Sequence, residues 1–207
     1  MGICYIVGAG EFYGSLSPTD DDFVIAADGG LDTLHALGIR CDLLVGDMDS
    51  ISAPNYSGEI VKHPVEKDET DMHLSYLEGV KRGYSKFVLY GGVGGREDHT
   101  FANYSLLLYA KLHGHDMKLI SKRDEIFVIK DEKIEISGSG GEPFSLFAFG
   151  SVATGVTIRG AKYEAKGVSL TPDFPLGVSN ELKDTRVTLS VECGSLLVMH
   201  SKFAPLK

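Results

Sequence analysis

The sequence predicts an α/β domain with a largely parallel sheet, followed by a small all-β domain. Three observations carry that expectation. Up to about residue 121, short apolar runs alternate with longer amphipathic ones, the pattern of a strand-helix-strand sheet. From about residue 126 the texture changes to short β-rich runs separated by glycine or polar turns. The chain holds 25 glycines in 207 residues with no repeating period, which assigns them to turns and close backbone approaches.

Strands are expected at residues 4–7, 23–27, 43–45, 60–65, 87–90 and 117–120. Each is a short apolar run bounded by polar or glycine residues. Residues 31–37, 72–80 and 101–112 place apolar side chains at helical spacing, with Phe101, Tyr104, Leu108 and Leu112 forming one face. Further strands are expected at 126–129, 133–136, 144–149, 156–158, 187–191 and 196–199. The division is placed at 1–124 and 125–207.

Composition removes several classes of function. Twenty Lys and Arg against 29 Asp and Glu leave a net charge of −9. Between Asp42 and Asp71, eight acids face only Lys62 and Lys67. That field repels nucleic acid and attracts a divalent cation. Cys4, Cys41 and Cys193 are odd in number and set in apolar segments, so they read as buried thiols rather than a secreted disulfide framework. No apolar run approaches ~18 residues and the N-terminus lacks a basic start, so a cytoplasmic protein without membrane spans is expected.

The chemistry-bearing residues follow the strands. In a parallel sheet the carboxyl ends of all strands open on one edge, where ligands bind. Ala27-Asp28-Gly29-Gly30 follows the second strand, Gly46-Asp47-Met48-Asp49-Ser50 the third, Lys67-Asp68-Glu69-Thr70-Asp71 the fourth, and Gly91 to His99 the fifth. Asp47 and Asp49, one residue apart, can aim two carboxylates at Mg²⁺, or can simply form an Asp-Ser turn. Asp68 or Thr70 can cap a helix whose first turn holds Asp71. Four glycines in five residues, Gly91, Gly92, Gly94 and Gly95, leave backbone N–H groups open to a polyphosphate, and Arg96 is a forked phosphate donor; a plain glycine turn with a surface arginine is the alternative. Asp98 is a cap or a third metal-facing acid. His99 opens the next helix as a polar residue or a proton carrier.

Taken in order, and with Ser179-Asn180-Glu181 in the β-rich part, these motifs resemble thiamine pyrophosphokinase, a family that moves a diphosphate from ATP to the hydroxyl of thiamine and releases AMP. The resemblance covers nearly the whole chain. It implies a three-layer α/β/α nucleotide domain followed by a β-sandwich that binds thiamine and forms a homodimer. By motif, Asp47, Asp49, Asp71 and Asp98 are implied around Mg²⁺ and the reacting phosphates, with Asp71 nearest the thiamine hydroxyl. Asp28, Gly29, Gly91, Gly92, Gly94, Gly95, Arg96 and His99 are implied in ATP binding. Lys67, Asp68 and Thr70 are implied between the substrates, and Ser179 and Asn180 at thiamine, from the partner subunit. Two other readings compete: a haloacid dehalogenase-type phosphatase using Asp47-Met48-Asp49, and a non-catalytic nucleotide sensor. The phosphatase reading leaves the Gly91 to Gly95 loop without a role.

Overall fold

The computed structural model describes residues 2–46, 56–63 and 68–202. Asp47, Asp49 and Lys67, and the last two residues of the strand expected at 60–65, lie outside the described residues. The chain is mixed α/β and divides into two compact units, one comprising Met1–Leu106 and Gly114–Ser121, the other Leu107–His113 and Lys122–Lys207.

The first unit carries six parallel strands: β1 (Cys4–Val7), β2 (Phe23–Ala27), β3 (Leu43–Gly46), β4 (Glu59–Lys62), β5 (Lys86–Tyr90) and β6 (Asp116–Ile120). They lie in the order β6-β5-β1-β2-β3-β4. Helix α1 (Gly30–Leu37) connects β2 to β3, α2 (Asp71–Lys81) connects β4 to β5, and α3 (Glu97–Leu112) leaves β5. The β1 to β3 strands are buried almost throughout, as strands covered on both faces must be. Val7, Val24, Ala26, Leu31, Leu34, Leu44 and Tyr90 form a core between the sheet and α1. Cys4 is buried elsewhere, beside Gly79 of α2, and burial pushes its thiol up to about 12.

Two features of the strand order matter for function. From β1 the chain steps outward through β2, β3 and β4 on one side, then returns to add β5 and β6 on the other. The adjacent strands β1 and β5 are therefore the topological switch point, where loops leave in opposite directions and open a crevice at the carboxyl edge.

The second unit holds two antiparallel sets of four strands. One has the order β12-β9-β14-β7 and the other β11-β10-β13-β8, built from β7 (Asp124–Lys130), β8 (Lys133–Ser137), β9 (Pro143–Ala148), β10 (Ala153–Arg159), β11 (Ala165–Leu170), β12 (Gly177–Glu181), β13 (Arg186–Ser190) and β14 (Ser195–Ser201). Residues from both sheets, including Phe144, Leu146, Val156, Val187, Leu189 and Val198, share one core. Alternation of buried and half-buried residues along β9 matches this one-sided burial.

Three sequence expectations need correction. Strands β11 and β12 were not expected; both are edge strands with little buried apolar surface. Cys193 is exposed rather than buried, because it sits in the turn between β13 and β14. The apolar face expected on α3 is only half-buried at Tyr104 and Leu108 and is open at its ends, where Phe101 is 65% and Leu112 56% exposed. The buried stripe is Asn103, Leu106, Leu107 and Ala110, spaced i, i+3, i+4, i+7 as a core-facing helix requires. Its first position is polar, so counting apolar residues passes over it.

Candidate active site

A cavity of about 620 Å³ opens in the first unit at the carboxyl edge of the sheet. Its floor is two glycine segments. Gly8-Ala9-Gly10 follows β1 and Gly91-Gly92-Val93 follows β5, and all six line the cavity. The segments touch through their backbones: Gly8 N–H donates to the Tyr90 carbonyl at 2.9 Å, and Gly10 N–H to the Gly91 carbonyl at 3.0 Å. A Cβ on Gly10 would stand 2.6 Å from the Gly91 oxygen and 2.8 Å from that of Val93, and one on Gly91 would stand 2.4 Å from the Gly8 oxygen. Only glycine permits this approach. Gly91 also has φ of +62°, a left-handed conformation that other residues adopt at a cost.

The walls are acidic. Asp28, at the end of β2, holds a left-handed φ of 49°, and its N–H donates to the Val45 carbonyl at 2.8 Å. A non-glycine residue kept in that region marks a turn whose surroundings fix it. Asp68, Glu69, Thr70 and Asp71 form a second wall. The Thr70 hydroxyl caps α2, accepting from His73 N–H at 3.2 Å. That cap places Asp71 in the first helical turn, where the helix dipole favours a carboxylate. Capping and cavity lining thus coincide in one segment.

The third wall is the start of α3, with Gly95, Arg96, His99, Thr100 and Asn103. Arg96 makes a forked pair with Asp98, Nε and Nη2 reaching the carboxylate at 3.1 and 2.6 Å. The pair pushes the guanidinium above its ordinary pKa and holds Asp98 below the carboxylate range. Asp98 itself is 64% exposed and directs its carboxylate to Arg96 and the His99 N–H. It is not among the lining residues, nor are Gly29 and Gly94.

Ser179 and Asn180 lie in the second unit, on β12. Ser179 is exposed, has a left-handed φ of 59°, and donates its N–H to Ser145 Oγ at 3.1 Å. Asn180 is buried and spans to Tyr163: Nδ2 donates to the Tyr163 carbonyl at 2.7 Å and Oδ1 accepts its N–H at 3.0 Å. Its amide therefore shapes the turn that presents its neighbours.

The cavity thus gathers Asp28, Asp68, Thr70, Asp71, Gly91, Gly92, Gly95, Arg96 and His99 of the residues expected from sequence. Glu69 and Val93, inside the motifs read from sequence, line it too, whereas sequence reasoning missed Gly8, Ala9, Gly10, Met72, Thr100 and Asn103. Gly8, Ala9 and Gly10 were open to discovery, since the carboxyl-edge rule applies to β1 as it does to the other strands. The donors on the acidic walls are hard oxygens of the kind Mg²⁺ takes. Among the described residues no three His, Cys, Asp or Glu side chains form a metal-holding group. The carboxylates present at the cavity, those of Asp28, Asp68, Glu69 and Asp71, are oxygen donors that suit such a cation.

Comparison with known proteins was made on the sequence and on the fold. Residues 18–120 match the family model "Thiamin pyrophosphokinase, catalytic domain", and residues 129–196 match "Thiamin pyrophosphokinase, vitamin B1 binding domain". The chain is 27% identical over 184 residues to the thiamine pyrophosphokinase of Bacillus subtilis (strain 168), covering 86% of each. The crystal structure of thiamine pyrophosphokinase from Bacillus subtilis aligns with a TM-score of 0.88 at 26% identity, covering 98% of this chain and 100% of that one. That of thiamin pyrophosphokinase from Geobacillus thermodenitrificans aligns at 0.86 and 25% identity, covering 98% of each. Yeast thiamin pyrophosphokinase shares the fold, with a TM-score of 0.77 at 15% identity over 98% of this chain and 86% of that one.

Proposed function

This chain belongs to the thiamin pyrophosphokinase family, and from that premise we propose that it transfers the diphosphate of ATP to the hydroxyl of thiamine, giving thiamine diphosphate and AMP. The observation that carries the reading is the meeting of a glycine-lined cradle with an acidic wall in one cavity. The cradle and Arg96 suit an anionic polyphosphate, and the carboxylates suit the fixed positive charge of thiamine.

In this reading the reaction is one in-line displacement. The thiamine oxygen forms a bond to the β-phosphorus as the bond from that phosphorus to the AMP oxygen breaks. Asp71, nearest the hydroxyl, accepts its proton as attack proceeds. Asp28, Gly29, the Gly91 to Gly95 loop and His99 hold ATP, while Arg96 and loop N–H groups neutralise charge on the transferred and leaving groups. Lys67, Asp68 and Thr70 occupy the segment between the substrates. Mg²⁺, held by Asp71 and Asp98 with Asp47 and Asp49, supplies Lewis-acid polarisation of phosphate oxygens when bound. For Arg96 and Asp98 to act in these roles, their mutual pair must open; an exposed pair of this kind is worth little.

Residues 1–124 form a three-layer catalytic domain, and 125–207 a β-sandwich for thiamine binding and dimerisation. Ser179 and Asn180 act at thiamine from the partner of a cytoplasmic homodimer. Among the described residues no helix is long and apolar enough to cross a membrane. The deciding experiment incubates the protein with ATP, Mg²⁺ and thiamine and follows AMP and thiamine diphosphate. Equal yields of both support the reading. Release of inorganic phosphate without thiamine diphosphate rejects it in favour of a phosphatase, and no turnover in favour of a sensor.

A further inference from the structure

Asn103 is 4% exposed on the core-facing stripe of α3, at a position where an apolar residue would bury surface without a desolvation cost. Its amide is satisfied by the glycine turn: Nδ2 donates to the Gly92 carbonyl at 2.8 Å. A carbonyl only accepts, so the NH₂ end of the amide must face it. The preceding carbonyl, of Gly91, accepts from Gly10 N–H at 3.0 Å. Two consecutive carbonyls of the turn are thus pinned, one by the β1 loop and one by α3.

A trans peptide sets each C=O opposite to the N–H that follows it. Pinning the Gly91 and Gly92 carbonyls therefore turns the N–H groups of Gly92 and Val93 away from Gly10 and Asn103. Neither N–H is given to a backbone carbonyl among the described residues. Successive N–H groups freed in this way form an anion-binding concavity. The space around Gly92 is tight: a Cβ there would stand 3.1 Å from Leu119 Cδ1 and 3.2 Å from Asn103 Nδ2, so the amide also fixes the depth of the turn.

We propose that Asn103 is a positioning residue for the phosphate cradle, acting through the Gly92 carbonyl to aim the Gly92 and Val93 N–H groups at the polyphosphate. This rests on the diphosphotransfer reading above and adds to it a residue that touches neither the thiamine hydroxyl nor the reacting phosphorus. Without the Asn103 amide the turn rocks about the single remaining Gly10 contact, and one oriented N–H to phosphate bond is lost.

Asn103→Leu keeps the branched shape, with a somewhat larger volume, and removes the donor. Inorganic tripolyphosphate binding, measured by calorimetry on the full chain, should weaken about tenfold, the worth of one such bond. The KM for ATP should rise by a similar factor while that for thiamine stays at the parental value. A folded variant with parental tripolyphosphate affinity and ATP KM overturns the inference, as does an equal rise in both KM values, which marks general damage. Thermal melting establishes folding; if Asn103→Leu does not fold, Asn103→Ala removes the same donor without filling the site. The parent protein separates the two levels of argument: if it neither binds tripolyphosphate nor makes AMP, the functional reading itself fails. If it does both and the variants match it, only the role of Asn103 fails.

Discussion

Replacing Gly10 by alanine tests the contact on which the cradle is built, and Gly95→Ala supplies its control. Both residues line the cavity. A methyl on Gly10 meets backbone oxygens of Gly91 and Val93 at 2.6 and 2.8 Å, and backbone cannot swing aside as the tip of a side chain can. A methyl on Gly95 meets nothing within 4 Å, and its φ needs no glycine. Forcing a methylene-sized group into a packed site costs about 1–3 kcal/mol. For a chain of this length each kcal/mol moves Tm by roughly 2–4 °C, so Gly10→Ala should melt about 2–12 °C below the parent. Gly95→Ala should melt with the parent but raise the KM for ATP, because its methyl occupies space that phosphate needs. Differential scanning calorimetry and initial rates over ATP concentration read the two effects. If Gly10→Ala melts with the parent, the close approach of the two glycine loops is wrong, and the argument for a backbone phosphate cradle loses its geometry.

Asp71→Asn should lower kcat by at least about a hundredfold, the usual span for loss of a general base, with folding and ATP binding retained; near-parental turnover removes Asp71 from that role. Arg96→Lys should raise the KM for ATP several-fold and leave that for thiamine unchanged, since an ammonium cannot reproduce the guanidinium fork; equal KM values in variant and parent reject the phosphate contact. Asp22 accepts from Ile3 N–H, Thr19 N–H and Thr19 Oγ1 at 2.7–2.8 Å, and these bonds hold its carboxyl below the ordinary 3.8. The folded state thus prefers the carboxylate, so this contribution is present above pH ~4 and lost as pH falls through the depressed folded value. Asp22→Asn should destabilise the chain by about 1–3 kcal/mol at neutral pH in chemical denaturation, and by less in strong acid; a deficit that is constant across pH refutes the assignment.

Most of the first unit was legible because parallel strands buried on both faces read as unbroken apolar runs. Ile25-Ala26-Ala27 and Leu43-Leu44-Val45 are of this kind. Edge strands give no such signal. Among the described residues β11 pairs only with β10 and β12 only with β9, and each has one buried residue, Leu170 and Asn180 respectively. In β12 the turn-like Gly177 and the left-handed Ser179 further disguise a strand. In α3 the apolar count selected Phe101 and Leu112, because propensity patterns record what is apolar rather than what is buried. The polar Asn103 begins the true core stripe, and only the Gly92 carbonyl opposite it explains why an amide belongs there.

The same limit explains why one half of the cradle was legible and the other was not. Gly91 to Gly95 is dense enough in glycine to stand out by itself, whereas Gly8-Ala9-Gly10 reads as an ordinary turn. Yet neither segment needs its glycines alone. A Cβ on Gly8 or Gly10 is excluded by the Gly91 oxygen, and a Cβ on Gly91 is excluded by the Gly8 oxygen. The requirement is reciprocal and arises only because β1 and β5, paired with an offset of 83 residues in the chain (Cys4 opposite Phe87), are neighbours at the switch point of the sheet. Strand order therefore decides which glycines matter, and strand order is a property of the folded sheet. A local scan finds the loop with many glycines; topology finds the loop with two, and with it the reason the floor of the cavity can form from backbone alone.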